Sequence, residues 1–203
     1  RMRTRLLTAM LSLLAATISL TATTVRIVNL SEMVQASDRV FHGRCVSAQE
    51  MTHSNGLPIV EYTFLVSDGI KGTVEGERVV FRQLQASRAR GFGIAGLPVF
   101  RKGQDLVLFL AADSRIGLTS PTGLSQGVFS VLQDRRGKLA IVNGFKNQNL
   151  THDLKPSRLY KMGLKHSQAE LLRSQEPISL EALSEAVRTI DAYQRGRFPK
   201  SGQ

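Results

Sequence analysis

Within Ile59 to Ser67, Val60, Tyr62, Phe64 and Val66 are apolar at every second position, and Glu61 and Thr63 lie between them. A period of two sends the apolar set to one face of a strand and the polar set to the other. The same texture recurs along the chain. Val40 to Ser47 reads as a strand with Phe41, Gly43 and Cys45 on one face. Glu77 to Leu84 reads as another, entered through Gly72 and Gly76. Leu106-Val107-Leu108-Phe109-Leu110 is continuously apolar, the pattern of a strand buried on both faces. Phe129 to Leu132 and Leu139 to Val142 flank Asp134-Arg135-Arg136-Gly137 as a hairpin would, and Asn55-Gly56 marks a turn between the first two strands. Short strands at near-regular spacing with glycine turns predict a mainly-β fold, a small antiparallel barrel or sandwich.

Helical signals sit at the two ends. Asn29-Leu30-Ser31-Glu32 is a capping-box pattern, followed by the stripe Leu30, Met33 and Val34. After Asn143 the texture becomes polar and irregular as far as Lys165. Ser167-Gln168-Ala169-Glu170 opens a short helix, and Ser179 starts a longer one with Leu180, Leu183, Val187 and Ile190 on one face.

Ahead of all this, Arg1 to Arg5 is basic, Leu6 to Leu20 is uncharged, and small and polar residues follow to Thr24. That is the order of a cleavable signal peptide over residues 1–22. A spanning helix needs about 20 apolar residues, more than this run supplies. The expectation is export, secreted or periplasmic, with no stable membrane insertion after cleavage. Residues 23–145 then form the barrel domain, and residues 146–203 a C-terminal extension with one or two helices.

The chain carries 27 Lys plus Arg against 16 Asp plus Glu, a net charge of +11. Loss of Arg1, Arg3 and Arg5 with the leader brings it near +8. A polyanion such as nucleic acid, anionic lipid or acidic glycan is one partner that this charge suits. Cys45 is the sole cysteine, which excludes an internal disulfide, and its strand position predicts a buried, inert thiol. No Trp and three Tyr leave little for stacking on single-stranded nucleic acid.

Catalytic patterns are sparse. Gly91-Phe92-Gly93-Ile94-Ala95-Gly96 has the G-x-G-x-x-G spacing, but Pro98 and an extended segment follow where a dinucleotide site needs a helix. His42, His53, His152 and His166 are not spaced as metal ligands, and there is no G-x-S-x-G elbow. His152-Asp153 is the one acid–base candidate for a hydrolase. Asn29-Leu30-Ser31 and Asn149-Leu150-Thr151 are glycosylation sequons. No catalytic residue, metal or cofactor is assigned. The binding candidate is the Gly- and Arg-rich loop: Arg88, Arg90, Gly91, Phe92 and Gly93, with Arg101 and Lys102 beyond it and Arg82 before it. Folded over the third strand, these residues would make one positive face.

The motif order also resembles a family. Ser37-Asp38-Arg39-Val40-Phe41-His42-Gly43-Arg44-Cys45-Val46 resembles the opening of a group of secreted bacterial proteins. Tyr62 to Val66 with Ile70-Lys71-Gly72 is similar to that group's second strand and K-G turn. Gly96 to Gln104, running on to Phe109-Leu110, and then Gln126-Gly127-Val128-Phe129, continue the likeness, with Gln104 standing where the group often has Glu. The strands and the K-G turn also look like the OB-type barrel of netrin modules and of tissue inhibitors of metalloproteinases. Those inhibitors chelate zinc through an N-terminal Cys held by disulfides. This chain has neither feature, so that role is not carried over.

The reading is therefore a small antiparallel OB-like β-barrel with a short N-terminal helix and a C-terminal helical cap. Its expected function is a secreted, non-enzymatic binding module for an envelope or extracellular protein, a protease among the candidates. A basic polyanion binder is the alternative, and a hydrolase the third.

Overall fold

The computed structural model describes residues 26–86, 96–133, 137–174 and 177–196. The fold is mainly β: a seven-stranded antiparallel sheet with four α-helices among the described residues. The strands are β1 (Ser37–Thr52), β2 (Pro58–Lys71), β3 (Arg78–Leu84), β4 (Asp105–Ala111), β5 (Val128–Gln133), β6 (Leu139–Asn143) and β7 (Ile178–Ser179). The helices are α1 (Leu30–Ala36), α2 (Pro156–Lys161), α3 (His166–Arg173) and α4 (Leu180–Gln194). Strand order is β3-β2-β1-β4-β5-β6-β7, so β3 and β7 end the sheet on opposite sides and it is not closed. Of the expected architecture, the antiparallel β character and the terminal helices are present, and strand pairing does not complete a barrel.

β1 runs well past the expected Ser47, because its pairing with β2 continues from Val40↔Lys71 out to Thr52↔Pro58. Register shifts between Val40 and Phe41, His42 and Gly43, and Cys45 and Ser47 bend it. Gly43 is needed at the tightest of these, where an added Cβ would stand 2.6 Å from the Leu65 carbonyl oxygen.

The sheet separates two cores. One holds Phe41, Cys45, Tyr62, Phe64, Val79, Phe81, Leu106, Leu108 and Leu110, capped by Phe100. Its rings meet mostly edge to face, as in Phe41–Phe64 at 5.8 Å and Tyr62–Phe100 at 5.0 Å. The other lies under the helices and joins Val40, Val107, Phe109, Phe129 and Ile141 to Leu30, Met33, Leu159, Leu172, Leu183, Val187 and Ile190. β4 feeds both cores by alternation, as its unbroken apolar run requires.

The helices are anchored by specific contacts. Asn29 accepts from the Glu32 N–H at 3.0 Å while Glu32 accepts from the Asn29 N–H at 3.1 Å, which is the expected capping box. Lys71, nine-tenths buried, donates to the Val34 carbonyl at the end of α1 and pairs with Asp191 of α4 at 3.3 Å. Gly72 follows it at φ +66°, where a side chain would collide with the Asp38 carbonyl. Two helical expectations need correction. α3 starts at His166, with the Lys165 N–H donating to Gln168 Oε1 at 2.9 Å, so the box sits two residues before the Ser167–Glu170 pair. α2, inside the segment read as irregular, begins on Pro156 in the first turn.

A buried amide cluster closes the chain on itself. Asn143 Nδ2 donates to Gln126 O at 2.9 Å and to Asn149 Oδ1 at 2.8 Å, and Asn143 Oδ1 accepts from the Phe145 and Asn147 N–H groups. Asn149 Nδ2 donates to Val28 O, and Gln126 Nε2 donates to Arg26 O. Both sequon asparagines are thus consumed: Asn29 is 7 % exposed and Asn149 2 %. Secreted from a host that glycosylates, the folded protein should carry no glycan at Asn29 or Asn149, as intact mass before and after glycosidase would show. Replacing Asn143 by Ala should cost about 2–3 kcal/mol in chemical denaturation, because several buried partners are left unpaired.

Cys45 is buried. Burial pushes its thiol up from the ordinary 9.0, and burial likewise pushes the Tyr62 phenol up from 10.0. The unfolded chain ionises these groups first, so their stabilisation holds below their ordinary values and is lost as pH climbs through the folded ones. A thiol reagent at pH 8 should leave Cys45 unmodified in the native protein and label it fully in denaturant. Replacing Cys45 by Ala should lessen the loss of melting temperature above pH 9.

Candidate functional site

The cross-strand register builds one well-defined exposed surface. Arg44, Leu65 and Arg78 form one rung across β1, β2 and β3; Ser47, Thr63 and Val80 form the next; Gln49, Glu61 and Arg82 form the third. Directly paired residues share a face. This face is opposite the aromatic core, since Cys45, Phe64, Val79 and Phe81 between these positions point inward. The helical layer covers the same side of the sheet over β4 to β7 and leaves this part uncovered. Leu65 is 41 % exposed and Val80 47 %.

Three arginines surround these two apolar side chains. The Arg82 Nε donates to Glu61 at 2.8 Å, and Arg44 lies 3.7 Å from Asp105. Arg78 has no ion-pair partner among the described residues. The turn at Arg101-Lys102-Gly103-Gln104 abuts this face, because the Gly103 N–H donates to the Cys45 carbonyl and the Cys45 N–H to that of Gln104. Gln104 Oε1 accepts from the Arg101 N–H at 2.7 Å, a bond that a glutamate could equally make.

Of the residues expected to bind, Arg101 and Lys102 are thus exposed beside Arg44, and Arg82 lies on the face itself. Arg88, Arg90, Gly91, Phe92 and Gly93 lie outside the described residues. Among the described residues after them, Pro98 lies beside β3, its carbonyl accepting from Gln83 Nε2 at 2.8 Å. Arg44, Arg78, Leu65 and Val80 were not anticipated. The signal was present in the alternation, whose outward set holds these residues, but the pairing of distant strands decides that they adjoin.

The acid–base candidate lies together at the surface. His152 Nε2 and Asp153 Oδ2 are 3.4 Å apart, with the aspartate side chain 86 % exposed. A closer pair forms inside the sheet, His42 Nε2 with Asp105 Oδ1 at 2.8 Å, and it bridges β1 to β4. Among the described residues no group of three or more His, Cys, Asp or Glu is placed to hold a metal ion.

A second feature is basic. A cleft of about 620 Å³ between α1, α2 and α4 is lined by Ser31, Gln35, Ser157, Arg158, Lys161, Met162, Tyr193 and Gln194, with no acidic residue in its wall. Arg158 and Lys161 are three apart on α2 and so share a side of it.

No protein-family model, no curated protein and no solved structure matches the chain.

Proposed function

We propose that the protein is a non-enzymatic binding module acting outside the cytoplasm, and that its partner is an envelope or extracellular protein with an acidic surface around an apolar contact. The observation that carries this is the uncovered face of β1–β3, on which Arg44, Arg78 and Arg82 ring Leu65 and Val80. An apolar centre with a charged rim is the usual arrangement of a protein interface, and arginine is favoured there. The arginines steer an acidic partner and set its register, and the apolar pair supplies contact area. A protease is among the candidates for that partner. The leader-like residues 1–22 support export to the periplasm or beyond.

The test is capture from envelope and culture fractions at low and moderate salt. The parent protein should retain one protein at both salts. The variant Arg44→Ser, Leu65→Ser, Arg78→Ser should lose it, with a change in stability within about 1.5 kcal/mol, about 0.5 for each exposed position. Equal capture by parent and variant overturns the assignment of this face. Replacing Arg88, Arg90 and Arg101 by Ser should weaken capture too, if the loop extends the same surface.

The basic cleft favours a second reading, binding of a polyanion. That reading expects retention on heparin that falls steeply with salt and weakens in Arg158→Ser, Lys161→Ser. Unchanged retention removes it.

A further inference from the structure

The cleft between α1, α2 and α4, at about 620 Å³, falls in the range of small-ligand sites. Its wall holds two exposed cations, Arg158 and Lys161, and no carboxylate. Neither cation has an ion-pair partner among the described residues. The carbonyls that end α2 do not occupy them, because those of Arg158, Leu159 and Tyr160 accept from backbone N–H groups of the turn that follows. The carboxylates of the flanking helices are engaged elsewhere: Glu32 on α1 with Arg26, and Asp191 on α4 with Lys71 and Arg195. Like charges three apart on a helix repel, and an anion seated between them removes that repulsion.

The same wall offers a hydroxyl with a poorly used proton. Ser31 is half-buried and lines the cleft. Its Oγ accepts from Gln194 Nε2 at 3.2 Å and donates only to the Met162 thioether at 3.5 Å, a weak acceptor. An oxyanion in the cleft would take that proton in preference. Tyr193, 36 % exposed, and Met162 add apolar surface beside it.

Two cations and one hydroxyl donor match a group with two negative charges and three oxygens. A phosphate monoester has both near pH 7, whereas a carboxylate or a phosphate diester carries a single charge. We infer that the cleft binds a phosphate monoester. Arg158 and Lys161 hold its charge, Ser31 Oγ donates to one oxygen, and the carbon skeleton beyond the ester lies on Tyr193 and Met162. A soluble glycerol phosphate and the headgroup of phosphatidic acid share this chemistry. The inference deepens the polyanion reading and rests on it for the choice of cleft: a polyanion needs a row of charges, and this site needs one divalent group.

Titration of the full chain by two-dimensional amide NMR tests this, with glycerol 3-phosphate, dimethyl phosphate and acetate as soluble probes. Sedimentation with phosphatidylcholine vesicles, with and without phosphatidic acid, tests the lipid source. Saturable shifts over Ser157–Met162 and Tyr193–Gln194 are expected with glycerol 3-phosphate and not with the singly charged probes. Arg158→Gln and Lys161→Gln should each weaken binding about tenfold while the remaining spectrum is preserved, and Ser31→Ala about threefold. A response to glycerol 3-phosphate alone assigns a soluble ester. Sedimentation that needs phosphatidic acid and weakens in both glutamine variants assigns the headgroup. No response to either source, an equal response to dimethyl phosphate, or unchanged affinity in both glutamine variants overturns the inference. Heparin retention without any monoester response overturns it while leaving the polyanion reading, and the converse result removes that reading and keeps the site.

Discussion

β1 is the strand on which the rest of the structure depends. It lies third in the sheet order between β2 and β4, pairs with β2 along nearly its whole length, and pairs with β4 over its first half. Its side chains serve both cores, with Val40 under the helices and Phe41 and Cys45 among the aromatic rings. Alternation alone supplies that double duty, as it does in β4, and bulges bend the strand that pairs with β2 and β4 at once. The register shifts and Gly43 supply that bend. The arginine-ringed face is a product of the same geometry, since each bulge decides which β1 residue stands beside Leu65 or Thr63.

The helices have a complementary role. They bury one side of β4 to β7 and reach Val40 of β1 and Ile70 of β2, where Lys71 ties α1 to α4. Its ammonium serves the carbonyl end of α1 and the carboxylate of Asp191 at once, a favourable place for a cation at a helix C-terminus. Beyond Lys71 the outward side of β2 and β3 is open. The basic cleft lies against α4, whose inward stripe is apolar and whose flanks are left to polar residues.

Much of this was legible in the sequence, for identifiable reasons. The alternation at Val60–Val66 and the unbroken Leu106–Leu110 run fix strand type and burial, because period-two geometry is local. Asn29 with Glu32 and Ser179 announce their helices, because capping is local too. α2 stayed hidden, since six residues give no measurable period and Pro156 is equally a loop residue. The end of β1 was misjudged because its outer part, Ala48 to Thr52, is exposed on both faces and shows no apolar alternation, and it is held by its pairing with β2. The arginine-ringed face joins residues from three strands, and nothing in a linear pattern states which rungs align. The expected loop drew attention by glycine and arginine content alone, while the described part of the basic surface sits mostly on the strands beside it.

One small contact has a larger consequence for how the molecule behaves in company. The loop after β4 returns across β3, where the Thr119 N–H donates to the Arg82 carbonyl at 2.8 Å. Terminal strands of a sheet otherwise offer a ready template for a strand from another molecule. With that carbonyl taken, an incoming strand would have to displace the loop before pairing along β3. At the other end, β7 is only two residues long, too short to nucleate such growth. Both margins of the sheet are therefore poor templates for a strand from another molecule.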